Sequence, residues 1–301
     1  MDDVKTREAD RRLLVCDLDG TLLDPVGTVR PAVREALAEV RKAGIQVVLA
    51  TGRSPWGIVE ICRELDLPGP HITMNGAVCA LPLQDRVIWA RRLNREQLEA
   101  HLRFAAWLCV RPTLCLIDGY AVQKPGRGDL RIPHFASGTR LRIVDRLEDL
   151  ADSGPIRTFL PTDPADVAFH AAVVRAARSQ LRSEASIVWS DLEGIELMAP
   201  GTNKGIALVT LAAAMGVPMR NTAVVGDGPN DLEMIRLAGV SAAMANAPLD
   251  VRSVATFVVP VSADDGAAEA FACVFPDLGL RVGAPVPTAS TASSSVAESA
   301  A

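Results

Sequence analysis

The sequence predicts an α/β protein whose parallel sheet is interrupted by an inserted α+β segment. Three observations predict it. Short continuous apolar runs alternate with helical patterns before residue 80. The same alternation returns after Pro200. Between them, from about Leu81 to Leu197, the strands alternate apolar with polar residues and the helices are more amphipathic. Continuous apolar runs suit parallel strands buried on both faces, and strands alternating with helices build such sheets.

Along the chain, LLVCDL at 13–18 is the first buried strand. Pro31 opens a helix with Val33, Leu37 and Val40 at helical spacing, and Gly44 stops it. IQVVLAT at 45–51 is the second strand, 55–65 a helix, and HITMNGA at 71–77 a third strand and turn of the same sheet. In the middle, 95–107 and 163–182 read as helices, and Pro and Gly cluster at 124–128 and 152–155. SIVWSDLEGIELMAP reads as two strands about a turn at 192–194. Beyond Pro200, 204–215 is a helix ended by Gly216, TAVVGD at 222–227 a strand, and 231–238 a helix closed by Gly239. VSAAMA and TFVVP are two more strands. The first dozen residues are charge-rich and read as frayed. Residues 282–301 are mostly Ala, Ser, Thr and Pro, with Glu298 their only charge, and read as a disordered tail. The expected organisation is a core of 1–81 and 199–281, an insert of 82–198, and the tail.

Hydrophobic residues make up 49% of the chain and charged residues 22%, which excludes a wholly disordered protein. A net charge of −5 lacks the basic footprint of a nucleic-acid binder and gives an anionic membrane no attraction. No apolar run approaches the roughly 18 residues of a membrane span. The N-terminus mixes acids with bases, and the apolar run after it is too short for a signal sequence. A cytoplasmic protein with neither nucleic-acid nor membrane partners is expected, and its oligomeric state is not readable. Six cysteines without a CxxC pair read as buried free thiols. Four scattered histidines and no HExxH give no zinc hydrolase site.

The chemistry sits at strand ends, where open α/β sheets bind ligands. Asp17-Leu18-Asp19-Gly20-Thr21 follows the first strand. Carboxylates at i and i+2 of a strand share a side, and a divalent cation relieves their repulsion. One can then attack while the other moves a proton. A solvated loop or a calcium site is the alternative, but Leu22 and Leu23 stand where further oxygen ligands would be needed. Thr51-Gly52-Arg53 ends the second strand. Its hydroxyl can bind a phosphate oxygen, although alone it reads rather as a helix N-cap by Thr51 or Ser54. In GTNKG, Lys204 can bind phosphate as a point charge, although alone it reads rather as a surface lysine in a turn. GDGPND places Asp227 and Asp231 at a strand end suited to magnesium, and Asp231 also suits the next helix N-terminus. Asp231 stands at the third glycine position of a dinucleotide fingerprint, so that cofactor is excluded.

In order, DLDGTLL, TGR, the GTNKG lysine and GDGPNDLEM resemble the four motifs of the haloacid dehalogenase (HAD) superfamily. ITMNGA, the long insert and MANAP make the chain similar to the Cof-type phosphatases with a C2B cap. The motifs cover the core at both ends, and the insert matches in placement and length more than in residues. The resemblance implies a Rossmann-like parallel-sheet core, an inserted α+β cap and a phosphomonoesterase acting on small phosphorylated metabolites. It implies Asp17 as nucleophile, Asp19 as general acid and base, and Thr51 and Lys204 on the phosphoryl oxygens. Gly52, Asn75, Gly76 and Asn230 fall at phosphoryl or substrate contacts. Mg²⁺ would be held by Asp17, the Asp19 carbonyl, Asp227 and Asp231. Two departures, Ala245 and Ala267 at positions often Gly and Val, look mild. A phosphotransferase or sugar phosphomutase on the same core is the alternative, and a non-catalytic metabolite-binding module is another. Arg127, Arg131 and Arg157 are candidates for cap loops facing the leaving group.

Overall fold

Four wholly buried apolar residues place β1 (Leu13–Cys16) inside a sheet. The computed structural model describes residues 11–124, 140–189, 193–280 and 286–287. After β1, α1 (Pro31–Lys42) starts with Pro at its first turn and buries Val33, Ala36, Leu37 and Val40. Gly44, at φ 77°, takes the left-handed turn that ends it. β2 (Gln46–Leu49) then pairs parallel with β1.

The chain next forms a 3₁₀ turn at Pro55–Ile58, where Ser54 Oγ accepts the Gly57 N–H at 3.1 Å, and continues as α2 (Val59–Glu64). β3 (His71–Thr73) does not join the parallel sheet as expected. It pairs antiparallel with β4 (Val78–Leu81), which pairs with β5 (Arg86–Ala90) in a separate three-stranded sheet. The reason is local. Met74, Asn75 and Gly76 have φ of 48°, 53° and 93°. That left-handed run reverses the chain at once, and a tight reversal gives an antiparallel partner where parallel pairing needs a long crossover.

α3 (Arg95–Trp107) opens on a capping box between Asn94 and Gln97. β6 (Thr113–Leu116), β7 (Gly119–Gln123), β8 (Arg140–Val144) and β9 (Arg157–Pro161) follow. Asp166 caps α4 (Val167–Gln180) by accepting the Phe169 N–H. β10 (Ser186–Val188) and β11 (Gly194–Met198) form the expected antiparallel pair. The sheet runs β10-β11-β9-β6-β7-β8, and only β7 and β8 are parallel.

The first pattern then resumes as α5 (Lys204–Ala214), β12 (Thr222–Gly226), α6 (Leu232–Leu237), β13 (Val240–Met244), α7 (Leu249–Arg252), β14 (Phe257–Val259) and α8 (Gly266–Val274). β12 pairs parallel with β1, so the sheet is ordered β14-β13-β12-β1-β2 in parallel. Within 282–301, Val286–Pro287 forms β15, which pairs antiparallel with β14 and makes that edge of the sheet. Burying each Leu or Val of these strands is worth about 1.5–3 kcal/mol. Gly205 lets α5 and α6 close up, since a Cβ there would lie 2.8 Å from Glu233 Cβ.

The chain divides into two compact units, Met1–Thr51 with Lys204–Ala301, and Gly52–Asn203. The expected fold class, a parallel α/β core with an inserted α+β segment, is what the sheets show. The first ten residues, Arg127, Arg131, most of the cluster at 124–128, part of the turn at 192–194 and the rest of the tail lie outside the described residues. Among the described residues no helix is long and apolar enough to cross a membrane. The cysteines are free, and five are buried, but Cys109 is exposed because it sits just past the end of α3 in a left-handed turn at φ 55°.

Candidate active site

The buried charged residues described in the first unit gather where β1 and β12 end. Asp17 directly follows β1, and its N–H donates to Val225 O at 2.9 Å, which extends the parallel ladder by one step. Lys204, the first residue of α5, is fully buried. Its Nζ donates to Asp17 Oδ1 and to Asp231 Oδ1, each at 2.6 Å. It is therefore not the surface lysine that its motif alone suggests. Asp231 is also fully buried, and its Oδ2 accepts the N–H groups of Asp227 at 3.0 Å and Gly228 at 2.9 Å. One carboxylate thus shapes the GDGPND turn and anchors the lysine.

Asp227 is held from two other sides. Thr21 Oγ1 donates to its Oδ1 at 2.7 Å, and Asn246 Nδ2 donates to its Oδ2 at 3.3 Å. Gly20 lies against the same carboxylate at φ 81°, and a Cβ there would stand 2.5 Å from Asp227 Oδ2. Asp17, Asp227 and Asp231 each bring an oxygen within 4.8 Å of the others. Burial first, then repulsion from Asp231, raises the Asp17 carboxyl well above the usual range, and Lys204 only partly offsets this. Asp227 is raised for the same two reasons against the Thr21 hydrogen bond. Burial alone would lower the Lys204 ammonium, but Asp17 and Asp231 hold it raised.

Three carboxylates against one ammonium leave an excess of buried negative charge. The donors are all hard oxygens, and Gly20 leaves the Asp227 carboxylate open where a side chain would cover it. This set fits a magnesium-type cation.

The remaining predicted residues are placed as follows. β1 ends at Cys16, so Asp17 and Asp19 do not share one strand face as expected. The chain turns after Asp17, leaving Asp17 buried and Asp19 exposed. Two carboxyls two residues apart therefore sit in different surroundings, and Asp19 is outside the three-carboxylate group. Thr51 is buried two residues beyond β2. Asn230 is half-buried in the 3₁₀ turn Pro229–Asp231. Gly52, Asn75 and Gly76 belong to the second unit, where Asn75 is fully buried and its Nδ2 donates to Glu196 Oε2 at 2.8 Å. Arg157 is not on a loop. It opens β9 and is only 6% exposed, because Glu196 pairs with it inside the sheet. Sequence reasoning missed Thr21, Glu196 and the role of Asn246. The signal for Glu196 was a lone charge inside the apolar run GIELM.

Residues 14–271 match the family of haloacid dehalogenase-like hydrolases. The chain belongs to that family. The resemblance drawn from its motifs is borne out, and with it the enzyme class of a HAD-type hydrolase with phosphatase relatives. Phosphatase YwpJ of Bacillus subtilis is 28% identical over 281 residues, covering 85% of this chain and 97% of that protein. The chloroplastic endoribonuclease YBEY of Arabidopsis thaliana is 26% identical over 274 residues, 85% of this chain, and the chain spans only 45% of its length. The solved structure of the HAD subclass IIB sugar phosphatase BT4131 shares the fold with a TM-score of 0.74 at 23% identity, covering 90% of this chain and all of that one.

Proposed function

We propose that the protein is a Mg²⁺-dependent phosphomonoesterase that hydrolyses small phosphorylated metabolites through an aspartyl-phosphate. The observation that carries this reading is the buried Lys204 ammonium bridging Asp17 and Asp231 at the strand ends, beside Asp227. Phosphate monoesters hydrolyse very slowly unaided, so positioning and charge neutralisation must supply most of the rate.

Asp17 attacks phosphorus, and the bond to the leaving oxygen breaks. Asp19 gives that oxygen a proton, then takes one from the water that hydrolyses the aspartyl-phosphate. Its exposure beside a buried Asp17 supports this division, because the two roles need different environments. Lys204 and Thr51 hold the phosphoryl oxygens. Asp17, the Asp19 carbonyl and Asp227 would hold Mg²⁺, with Asp231 supporting them, and the cation supplies charge neutralisation at phosphorus. Gly52, Asn75, Gly76 and Asn230 contact the phosphoryl group or the rest of the substrate. The segment 82–198 acts as the cap that selects the leaving group.

The test is phosphate release from sugar phosphates, FMN, pyridoxal phosphate and nucleotides, with Mg²⁺ and with EDTA. Release that needs Mg²⁺ and is lost in Asp17→Asn is expected. Phosphate passed to an acceptor instead of water would favour a phosphotransferase. Ester binding without turnover would favour a binding module.

A further inference from the structure

The second unit buries a charged cluster that the mechanism above does not use. Glu196 of β11 lies opposite Phe159 of β9, and Arg157 is two places earlier in β9. That spacing puts both side chains on one face as a diagonal pair. Arg157 Nη1 lies 2.6 Å from Glu196 Oε1, with side chains only 8% and 12% exposed. Nε and Nη1 of Arg157 make no aligned hydrogen bond, so the arginine acts here through its charge.

The other Glu196 oxygen, Oε2, accepts from Asn75 Nδ2. The left-handed turn that carries Asn75 packs on this face, where Met74 and Ala77 share an apolar cluster with Cys115, Tyr120 and Met198. An apolar pair in place of Arg157 and Glu196 would hold such a cluster equally well. What it could not do is orient a carboxamide. A carboxylate only accepts, so Glu196 decides which end of Asn75 faces it. The carboxamide then lies against Gly52, where a Cβ would meet its Nδ2 at 3.2 Å and its Oδ1 at 3.4 Å. Gly52 directly follows Thr51.

We propose that Glu196, charge-paired with Arg157, is a positioning residue that fixes the Asn75 carboxamide in the orientation in which it meets the phosphate ester. This rests on the reading that Asn75 contacts substrate.

Glu196→Gln is the informative variant. A glutamine has no charge and only one oxygen, so it cannot face Arg157 with one oxygen and accept from Asn75 with another, and the charge pairing that holds the acceptor in place is lost. Kinetics of Asn75→Ala, Glu196→Gln and the double variant are compared on the best ester from the panel. Each single variant is expected to lower kcat/KM about tenfold or more, and the double is expected to fall no further than Asn75→Ala alone. A residue that only held the fold would multiply its loss with that of Asn75→Ala, and that result overturns the proposal. So does a Glu196→Gln enzyme with normal kcat/KM beside an impaired Asn75→Ala. An Asn75→Ala enzyme with unchanged kcat/KM refutes the underlying reading of Asn75 instead. Urea unfolding of the same proteins reads the contact without turnover. Glu196→Gln is expected to lose less stability in the Asn75→Ala background than alone, and equal losses count against the proposal.

Discussion

Replacing Lys204 with methionine tests whether the site is held by charge. The side chain is wholly inaccessible, and both of its partners, Asp17 and Asp231, accept at 2.6 Å from buried positions. Methionine keeps much of the volume and removes the ammonium that bridges the two acids. Breaking a buried ion pair from one side costs about 3–5 kcal/mol, because the remaining charge is left unpaired. For a protein of this size that is a fall in melting temperature of about 5–8 °C. The assay is thermal and urea unfolding in EDTA, so that no cation substitutes for the lost ammonium. The pH dependence gives a second reading. Asp17 already has a raised pKa in the fold, and losing Lys204 removes what lowers it. A carboxyl raised by folding loses stability as pH rises through the interval between its ordinary and its raised value. The deficit of Lys204→Met should therefore shrink on acidification, and Asp17→Asn added to it should recover part of the loss at neutral pH. A variant that melts with the wild type, or one whose deficit does not change with pH, would refute the electrostatic reasoning.

Two further outcomes follow from other contacts. Gly20→Ala forces a Cβ to within 2.5 Å of Asp227 Oδ2 at φ 81°, so it should weaken Mg²⁺ binding about tenfold by calorimetry and cost about 1–2 kcal/mol of stability. His71 and His101 are both lowered to about 4 by burial, against the weaker effect of the hydrogen bonds that their ring N–H groups donate to the Leu67 and Glu184 backbone oxygens. Unfolded histidine binds its proton near 6.5, so the unfolded chain gains protons first as pH falls. Each should cost about 2 kcal/mol of stability at pH 5 relative to neutral pH, and His101→Gln should remove one such increment in urea unfolding.

The parallel strands were legible because their apolar runs are short, continuous and bounded. Asp17 and Asp227 were legible because they stand at the ends of those runs, whereas Lys204 was legible only through the family resemblance, since its motif alone reads as a surface turn. β3 was misplaced because periodicity cannot see the left-handed run at Met74–Gly76, and that run alone decides its partner. Arg157 looked like a surface group because a lone arginine carries no sign of burial. Its counter-charge is Glu196, thirty-nine residues away in sequence and adjacent only across the β9–β11 ladder. Thr21 belongs to the first motif, yet its link to Asp227 exists only because β1 and β12 are neighbours.

In the proposed mechanism Asp17 becomes covalently bound to phosphorus. The most direct measurement is mass spectrometry of peptides from Asp19→Asn, quenched in acid during turnover of p-nitrophenyl phosphate with Mg²⁺, because that leaving oxygen needs no proton from Asp19. The variant should form the aspartyl-phosphate and hydrolyse it slowly. The mass of one phosphoryl group should appear on the peptide carrying Asp17 and be absent when Asp17→Asn is added. A phosphoryl group on another peptide, or wild-type phosphate release from Asp17→Asn, would contradict the account.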